Sequence, residues 1–211
     1  MSILNHELKN RNVLVTGATG FIGGRLAQRL AVEEGAVVTG LGRQLDKVPF
    51  LTEAGVRLER ADMRDTAVLR QLLAGQEILF HAAALRMQVR PSGAEAEAVN
   101  VTAVGELVRL AAAAGVRRVV HISSINAYGP PQRDLIDESH PINPGQRDFY
   151  GRTKAQAEQA ATAAAAETGI ELVIVRPGMV YGPRSESWSA RMVETLRQGI
   201  PVIFGKGDGY A

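Results

Sequence analysis

The 211-residue chain contains no cysteine, which excludes disulfides, thiol catalysis and thiolate metal sites together. Its four histidines, His6, His81, His121 and His140, stand at no spacing that metal ligands use, so no metal site is expected. No apolar run reaches the length needed to span a bilayer, and residues 1–9 lack the apolar stretch of a signal peptide. Charge of a single sign is missing too. The chain sets 24 Lys and Arg against 22 Asp and Glu, a formal net charge of +2, with the basic residues scattered rather than blocked. That pattern gives no footprint for a nucleic acid. There is no internal repeat. The reading is a soluble cytoplasmic protein with neither nucleic-acid nor membrane partners, whose 45% apolar content can bury a full core.

What is present begins with Asn12-Val-Leu-Val-Thr-Gly-Ala-Thr-Gly-Phe-Ile-Gly-Gly24. A β-branched run ends in a glycine turn, and an amphipathic helix follows with Phe21, Ile22, Leu26 and Leu30 at helical spacing. Gly17, Gly20 and Gly23 stand three apart. Glycines so placed permit a tight turn, let the backbone approach a pyrophosphate, and allow the helix to pack close to its strand. Free N–H groups and the positive end of the helix dipole then meet the phosphate charge. The turn reads as a dinucleotide site.

The rest of the pattern alternates. Strands are expected at 12–16, 36–41, 56–60, 77–83, 117–123 and 170–176, with helices at 21–34, from 66 to about 73, 94–114 and 149–168. Such alternation predicts an α/β fold with a doubly wound parallel sheet. Between residues 127 and 147 it dissolves into Pro, Gly, Asp and Asn, a long loop at the sheet edge where substrates enter. A second loop, 177–183, precedes a helix at about 186–198 and a short strand at 201–204. The sequence then stops within Gly205-Lys-Gly-Asp-Gly-Tyr-Ala211, which reads as an interruption.

Three groups carry candidate chemistry. Tyr150 and Lys154 share one helix face at i, i+4, and an ammonium one turn away favours the phenolate. The tyrosine could then exchange a proton with a carbonyl or alcohol oxygen, or the pair could be an exposed aromatic and a solvated lysine. Ser123 and Ser124 close the fifth strand, either as a hydroxyl donor to a substrate oxygen or as turn residues. Asp62 could accept from an adenine amino group or belong, with Asp65, to the cap of the next helix. His81 reads as structural, ahead of the small residues Ala82, Ala83 and Ala84, along which a cofactor could lie. Asn100 interrupts an apolar helix face, and a buried amide needs a partner, either ligand or backbone.

In order along the chain, these residues resemble the extended short-chain dehydrogenase/reductase superfamily, in its NAD(P)-dependent epimerase/dehydratase branch. The resemblance rests on Thr16-Gly-Ala-Thr-Gly-Phe-Ile-Gly23, Ala61-Asp-Met63, His81-Ala-Ala-Ala84, Asn100-Val101, Ser123-Ser124, Tyr128-Gly129, Tyr150-Gly-Arg-Thr-Lys154 and Arg176-Pro-Gly-Met-Val-Tyr-Gly-Pro183. It implies a Rossmann-type NAD(P)-binding domain over 1–177 and, from 178 to 211, the beginning of a truncated substrate-binding region. It implies that Tyr150 is the acid/base, that Lys154 holds the nicotinamide ribose and tunes Tyr150, and that Ser124 orients the reacting oxygen. Gly17, Thr19, Gly20, Phe21, Ile22, Gly23, Arg43, Asp62, Met63, Ala82, Ala83, Ala84, Asn100, Pro177 and Val180 would contact the cofactor, with Tyr150 and Lys154. A small-molecule substrate and a homodimer formed through the Tyr150 helix are implied as well.

Two departures from the family pattern bear on function. Members run about a hundred residues further, through much of the substrate pocket. Nucleotide-sugar members often carry Asn where Met179 stands, so its absence leans toward a reductase or dehydrogenase of a less charged sterol, flavonoid-like ketone or aldehyde. A nucleotide-sugar epimerase or dehydratase remains the alternative, and a non-catalytic dinucleotide-binding module a third reading. For the cofactor, the acidic position that ends the second strand in NAD sites is occupied by Gly42, with Arg43 next. A ribose 2′-phosphate would meet no carboxylate and could pair with Arg43, whereas Arg43 stacked on adenine would serve NAD equally. NADP is expected, with NAD possible.

Overall fold

Alternation along the first strand decides the layers. The computed structural model describes residues 7–85, 93–130 and 136–199. In β1 (Asn12–Thr16), Leu14 faces one helical layer while Val13 and Val15 face the other, as the two-residue period of a strand requires. Five further strands, β2 (Val37–Gly42), β3 (Arg57–Arg60), β4 (Ile78–His81), β5 (Arg118–Ile122) and β6 (Glu171–Val175), join it in the order β3-β2-β1-β4-β5-β6. Every pairing is parallel. The crossover from β3 to β4 passes over β2 and β1, so the order reverses between β1 and β4, and the strand ends beside that reversal form the crevice where open α/β sheets take ligands.

On one face lie α1 (Phe21–Val32) and the short α2 (Pro49–Glu53), where Ala27, Leu30 and Leu51 cover Val13, Val15 and Ile78. On the other, Leu14, Leu79 and Val119 pack beneath α3 (Thr66–Leu73), α5 (Ala103–Ala113) and α6 (Phe149–Thr168). Leu14, Leu79 and Leu107 are fully buried, each contributing about 2 kcal/mol relative to exposure.

The elements differ from the sequence pattern in instructive places. The helix expected over 94–114 is three pieces: α4 (Gly93–Glu97), a π turn (Ala98–Thr102) and α5. Residues 45–53, which carry no periodic signal, form a 3₁₀ turn (Leu45–Lys47) and α2, entered by a helix-starting Pro49. The strand expected to reach residue 83 ends at His81, and the backbone of Ala82 and Ala83 then lies close beneath Gly17. A 3₁₀ turn, Ile125–Tyr128, opens the long loop. The strand expected at 201–204 lies outside the described residues. The chain divides into two units, one up to Arg176 and one from Pro177. In the second, a π turn (Glu186–Ala190) leads into α7 (Arg191–Arg197). Among the described residues, no helix is long and apolar enough to cross a membrane.

Candidate functional site

At the glycine turn the backbone leaves β1 with Gly17 at φ +71°, held by Ala18 N–H donating to Leu41 O and Gly20 N–H donating to Gly17 O. A Cβ on Gly17 would stand 2.6 Å from Ala83 N, and one on Gly23 would stand 2.3 Å from Gly17 O. Neither position has room for another residue. Gly20, at the N-cap of α1, brings no side chain, and the first turn holds no acidic residue. The first-turn N–H groups of Phe21, Ile22 and Gly23 thus have no side-chain cap, at the positive end of a 12-residue helix. The chemistry of that donor set fits a dinucleotide pyrophosphate.

Next to this turn, Thr19 packs onto Gly42: a Cβ at 42 would lie 2.3 Å from Thr19 Cγ2. Arg43 follows, exposed and without an ion pair among the described residues. Across the β2–β3 edge, Asp62 accepts from Arg64 three times, from its backbone N–H at 2.9 Å, Nε at 2.8 Å and Nη2 at 2.7 Å. The Arg64 side chain, with smaller help from Arg43, holds the Asp62 carboxyl down at about 2. Asp62 therefore binds the side chain two residues on, while Asp65 caps α3 by accepting from Val68 N–H at 3.1 Å. Met63 is half-buried against the core, and Ala82, Ala83 and Ala84 are half-buried at the end of β4. Asn100 is buried within the π turn, with its amide committed to backbone. Its Oδ1 accepts from Leu85 N–H at 2.7 Å and its Nδ2 donates to Leu85 O at 3.0 Å. It fixes the chain leaving β4 against the helix.

The 3₁₀ turn and α6 bring the second cluster together. Ser123 and Ser124 are both buried where β5 ends. Ser124 Oγ accepts from Asn126 N–H at 3.2 Å, which leaves its own proton free to donate, whereas Ser123 Oγ has no partner among the described residues. Asp148 caps α6, its Oδ2 accepting from Gly151 N–H at 2.6 Å. Gly151 rides on the turn so closely that a Cβ there would stand 2.5 Å from Asn126 O. One turn into α6, the buried Lys154 donates from Nζ to Ile122 O at 3.0 Å, and Nζ lies 6.0 Å from the centre of the half-buried Tyr150 ring. Burial pushes the Lys154 ammonium down to about 8, against an upward pull from Glu158. Pro177 and Val180 belong to the second unit and are half-buried.

Two features escape the sequence pattern. Arg176 Nε and Nη2 donate to the buried Glu158 carboxylate, Nη2 at 2.7 Å, and Arg176 Nη1 donates to Tyr128 Oη at 2.8 Å. Counting one more turn from Lys154 along α6 would have placed Glu158 on the same face. The second is a row in register across three strands, Thr16, His81 and His121. Thr16 Oγ1 and His81 Nδ1 are 2.7 Å apart, and the two imidazoles stack with centroids 5.2 Å apart. Burial pushes His81 down to about 3 and His121 well below its ordinary value, and the Lys154 charge adds to both.

Histidines buried neutral bind protons more readily when unfolded, so their contribution to stability is complete above pH about 6.5 and is lost as pH falls below it. Between pH 6.5 and 5 the loss from His81 should be on the order of 2 kcal/mol, with His121 adding in the same direction. Urea unfolding at pH 7 and pH 5 should show this drop in wild type and a smaller one in His121→Leu. A midpoint that ignores pH in both would overturn it.

Comparison with known proteins gives one result. Residues 13–210 match the model of the NAD dependent epimerase/dehydratase family. A sterol demethylase protein B of Methylococcus capsulatus is 37% identical over 175 residues, covering 81% of this chain and 52% of its own length. A UDP-glucose 4-epimerase of Vibrio cholerae is 28% identical over 199 residues, covering 92% and 60%. Among solved structures, the dTDP-glucose 4,6-dehydratase of Streptomyces venezuelae, with NAD and TYD bound, superposes with a TM-score of 0.78. It is 28% identical, and the match covers 93% of this chain and 65% of that one. The chain thus spans little more than half the length of the curated relatives it matches. With its parallel six-stranded sheet and the glycine turn at the edge of β1, this chain belongs to the NAD dependent epimerase/dehydratase family.

Proposed function

We propose that the chain is the cofactor-binding and catalytic part of an NADP-preferring oxidoreductase acting on a carbonyl or alcohol carbon. One observation carries the reading: Lys154, buried one helical turn from Tyr150, has its ammonium anchored to the end of the strand that also delivers Ser124. When bound, the nicotinamide dinucleotide supplies or accepts the hydride. Tyr150 transfers the matching proton through its phenolic oxygen, and Lys154 favours the phenolate and holds the nicotinamide ribose. Ser124 donates its free proton to the substrate oxygen as charge develops there. Gly17, Thr19, Gly20, Phe21, Ile22 and Gly23 hold the pyrophosphate, and Met63 with Ala82, Ala83 and Ala84 lines the adenosine side. Asp62 shares its carboxylate between Arg64 and the adenine, Asn100 supports the cofactor floor through Leu85, and Pro177 and Val180 meet the nicotinamide.

Met179 in place of an amide favours a weakly charged substrate such as a sterol, ketone or aldehyde. Relatives that include UDP-glucose 4-epimerases keep the transient-hydride epimerase or dehydratase as the second reading. The whole protein is read as a cytoplasmic homodimer packed through α6 and its neighbour. NADPH and NADH oxidation with a panel of ketones and aldehydes, beside UDP- and dTDP-sugars, tests the activity. Turnover of the sugars alone would replace the first substrate class by the second.

NADP preference rests on Thr19 as well as Arg43. With Thr19 packed against position 42, a carboxylate for a ribose 2′-hydroxyl would have to displace it, while the exposed Arg43 can take a 2′-phosphate. Titration should find NADP the tighter ligand. Arg43→Ala should weaken NADP by about tenfold to a hundredfold, the size of a charge-assisted hydrogen bond, and leave NAD nearly unchanged. Equal or better affinity for NAD in wild type, or an equal loss for both cofactors, would sink the assignment.

A further inference from the structure

Lys154 and Glu158 stand one turn apart on α6, and both are buried, with 7% and 1% of their surface exposed. The Glu158 carboxylate also receives two guanidinium nitrogens of Arg176, the residue after β6. Arg176 is itself fixed by Tyr128, whose ring it overlies at 4.8 Å and whose Oη it meets at 2.8 Å. Tyr128 ends the 3₁₀ turn that Ser124 opens. A carboxylate this deeply buried needs compensation: Arg176 binds it directly, and the buried Lys154 lies one helical turn away.

We propose that Glu158 is a positioning residue: it keeps the Lys154 ammonium charged in its dry site, and Arg176 sets how much of the carboxylate Lys154 receives. This rests on the role proposed above for Lys154. Desolvation works against the ammonium, and the Glu158 carboxylate is the charge that opposes it. Of the other titratable groups facing Lys154, His81 of β4 and His121 of β5 are buried and held neutral, and Tyr150 stands one turn earlier on α6; the ammonium itself donates to the neutral carbonyl of Ile122. From the end of β6, Arg176 adds positive charge that acts on Lys154 only through Glu158. The arrangement yields opposite signs for its two charged members. Loss of the carboxylate strips Lys154 of support, whereas loss of the guanidinium leaves the carboxylate to Lys154 alone.

The test follows the ¹³Cε resonances of lysine-labelled chain through a pH titration, with the Lys154 signal assigned by its disappearance in Lys154→Met. In Glu158→Gln the Lys154 midpoint should fall by about one pH unit or more, a tenfold change in its protonation equilibrium. Glu158→Asp should restore most of it. In Arg176→Gln the midpoint should rise, and this variant decides the matter by itself should Glu158→Gln fail to fold. A purely structural ion pair would lower thermal stability in both variants without moving Lys154 in opposite directions. An unchanged midpoint in folded Glu158→Gln, or no rise in Arg176→Gln, would overturn the proposal. With an active wild type, the alkaline limb of kcat should move with the midpoint. Absence of turnover with every carbonyl substrate would count against the proposed function and leave this substrate-free titration standing.

Discussion

Tyr150→Phe is expected to lower kcat on the order of 10²- to 10⁴-fold while NADP affinity stays within about twofold of wild type. The substitution removes one oxygen and leaves the ring, so helix packing and the glycine turn are untouched. What disappears is the oxygen proposed to exchange the proton, on a ring whose centre lies 6.0 Å from Lys154 Nζ. Lys154→Ala should behave differently, damaging kcat and cofactor affinity together, because in the proposed function one ammonium serves both the tyrosine and the ribose. Its Nζ is also a buried donor to Ile122 O, so some stability goes with it. Rapid-mixing turnover beside fluorescence titration of NADPH separates the two effects. Tyr150→Phe retaining more than about a few per cent of wild-type kcat would remove Tyr150 from the acid/base role, since general acid–base catalysis is worth far more. With Lys154 pushed down to about 8 by burial, wild-type activity should also decline as pH rises through that region and the ammonium loses its proton.

The parts of this fold legible in the sequence are those governed by short-range periodicity. The β1 run, the glycine turn and the 3.6-residue stripe of α1 each follow from local spacing, and the parallel order follows from alternation of strands and helices. Residues 149–168 are a single helix between an Asp148 cap and Gly169 at φ +74°, both visible as punctuation. What the pattern cannot carry is long-range pairing. His81 and His121 are forty residues apart and meet only because β4 and β5 are neighbours in register. Asn100 illustrates the same limit: an amide on an apolar face announces a partner, but only the fold shows that Leu85 backbone is that partner. Asp62 shows the reverse, since its nearest cation, Arg64, sits two residues away and could have been weighed from the sequence. Glu158 lay in plain periodicity, yet its meaning depends on Arg176, brought over by β6.

Gly23→Ala should be the most damaging single change outside the catalytic cluster. The added methyl would stand 2.3 Å from Gly17 O and 2.8 Å from Gly17 C, both backbone atoms with no rotamer to yield. Gly17 cannot retreat, because it holds φ +71° with Ala83 N directly behind it. The start of α1 must therefore lift from the turn, at a cost of about 1–3 kcal/mol typical of forced overpacking. The same movement carries the Phe21, Ile22 and Gly23 N–H groups away from the proposed phosphate seat, so NADP affinity should fall by about a hundredfold or more. Gly20→Ala is the informative contrast. Gly20 is exposed at φ −87°, and its Cβ would meet only Gly17 O at 3.1 Å, so the fold should survive with a small loss. The methyl would nonetheless sit at the mouth of the cradle, and binding should weaken more than stability does. Thermal melts with and without NADP, beside calorimetric titration, give both quantities for each variant. If Gly23→Ala melted within a degree of wild type and bound NADP within twofold, the tight seat of α1 on the turn would not be what holds the pyrophosphate.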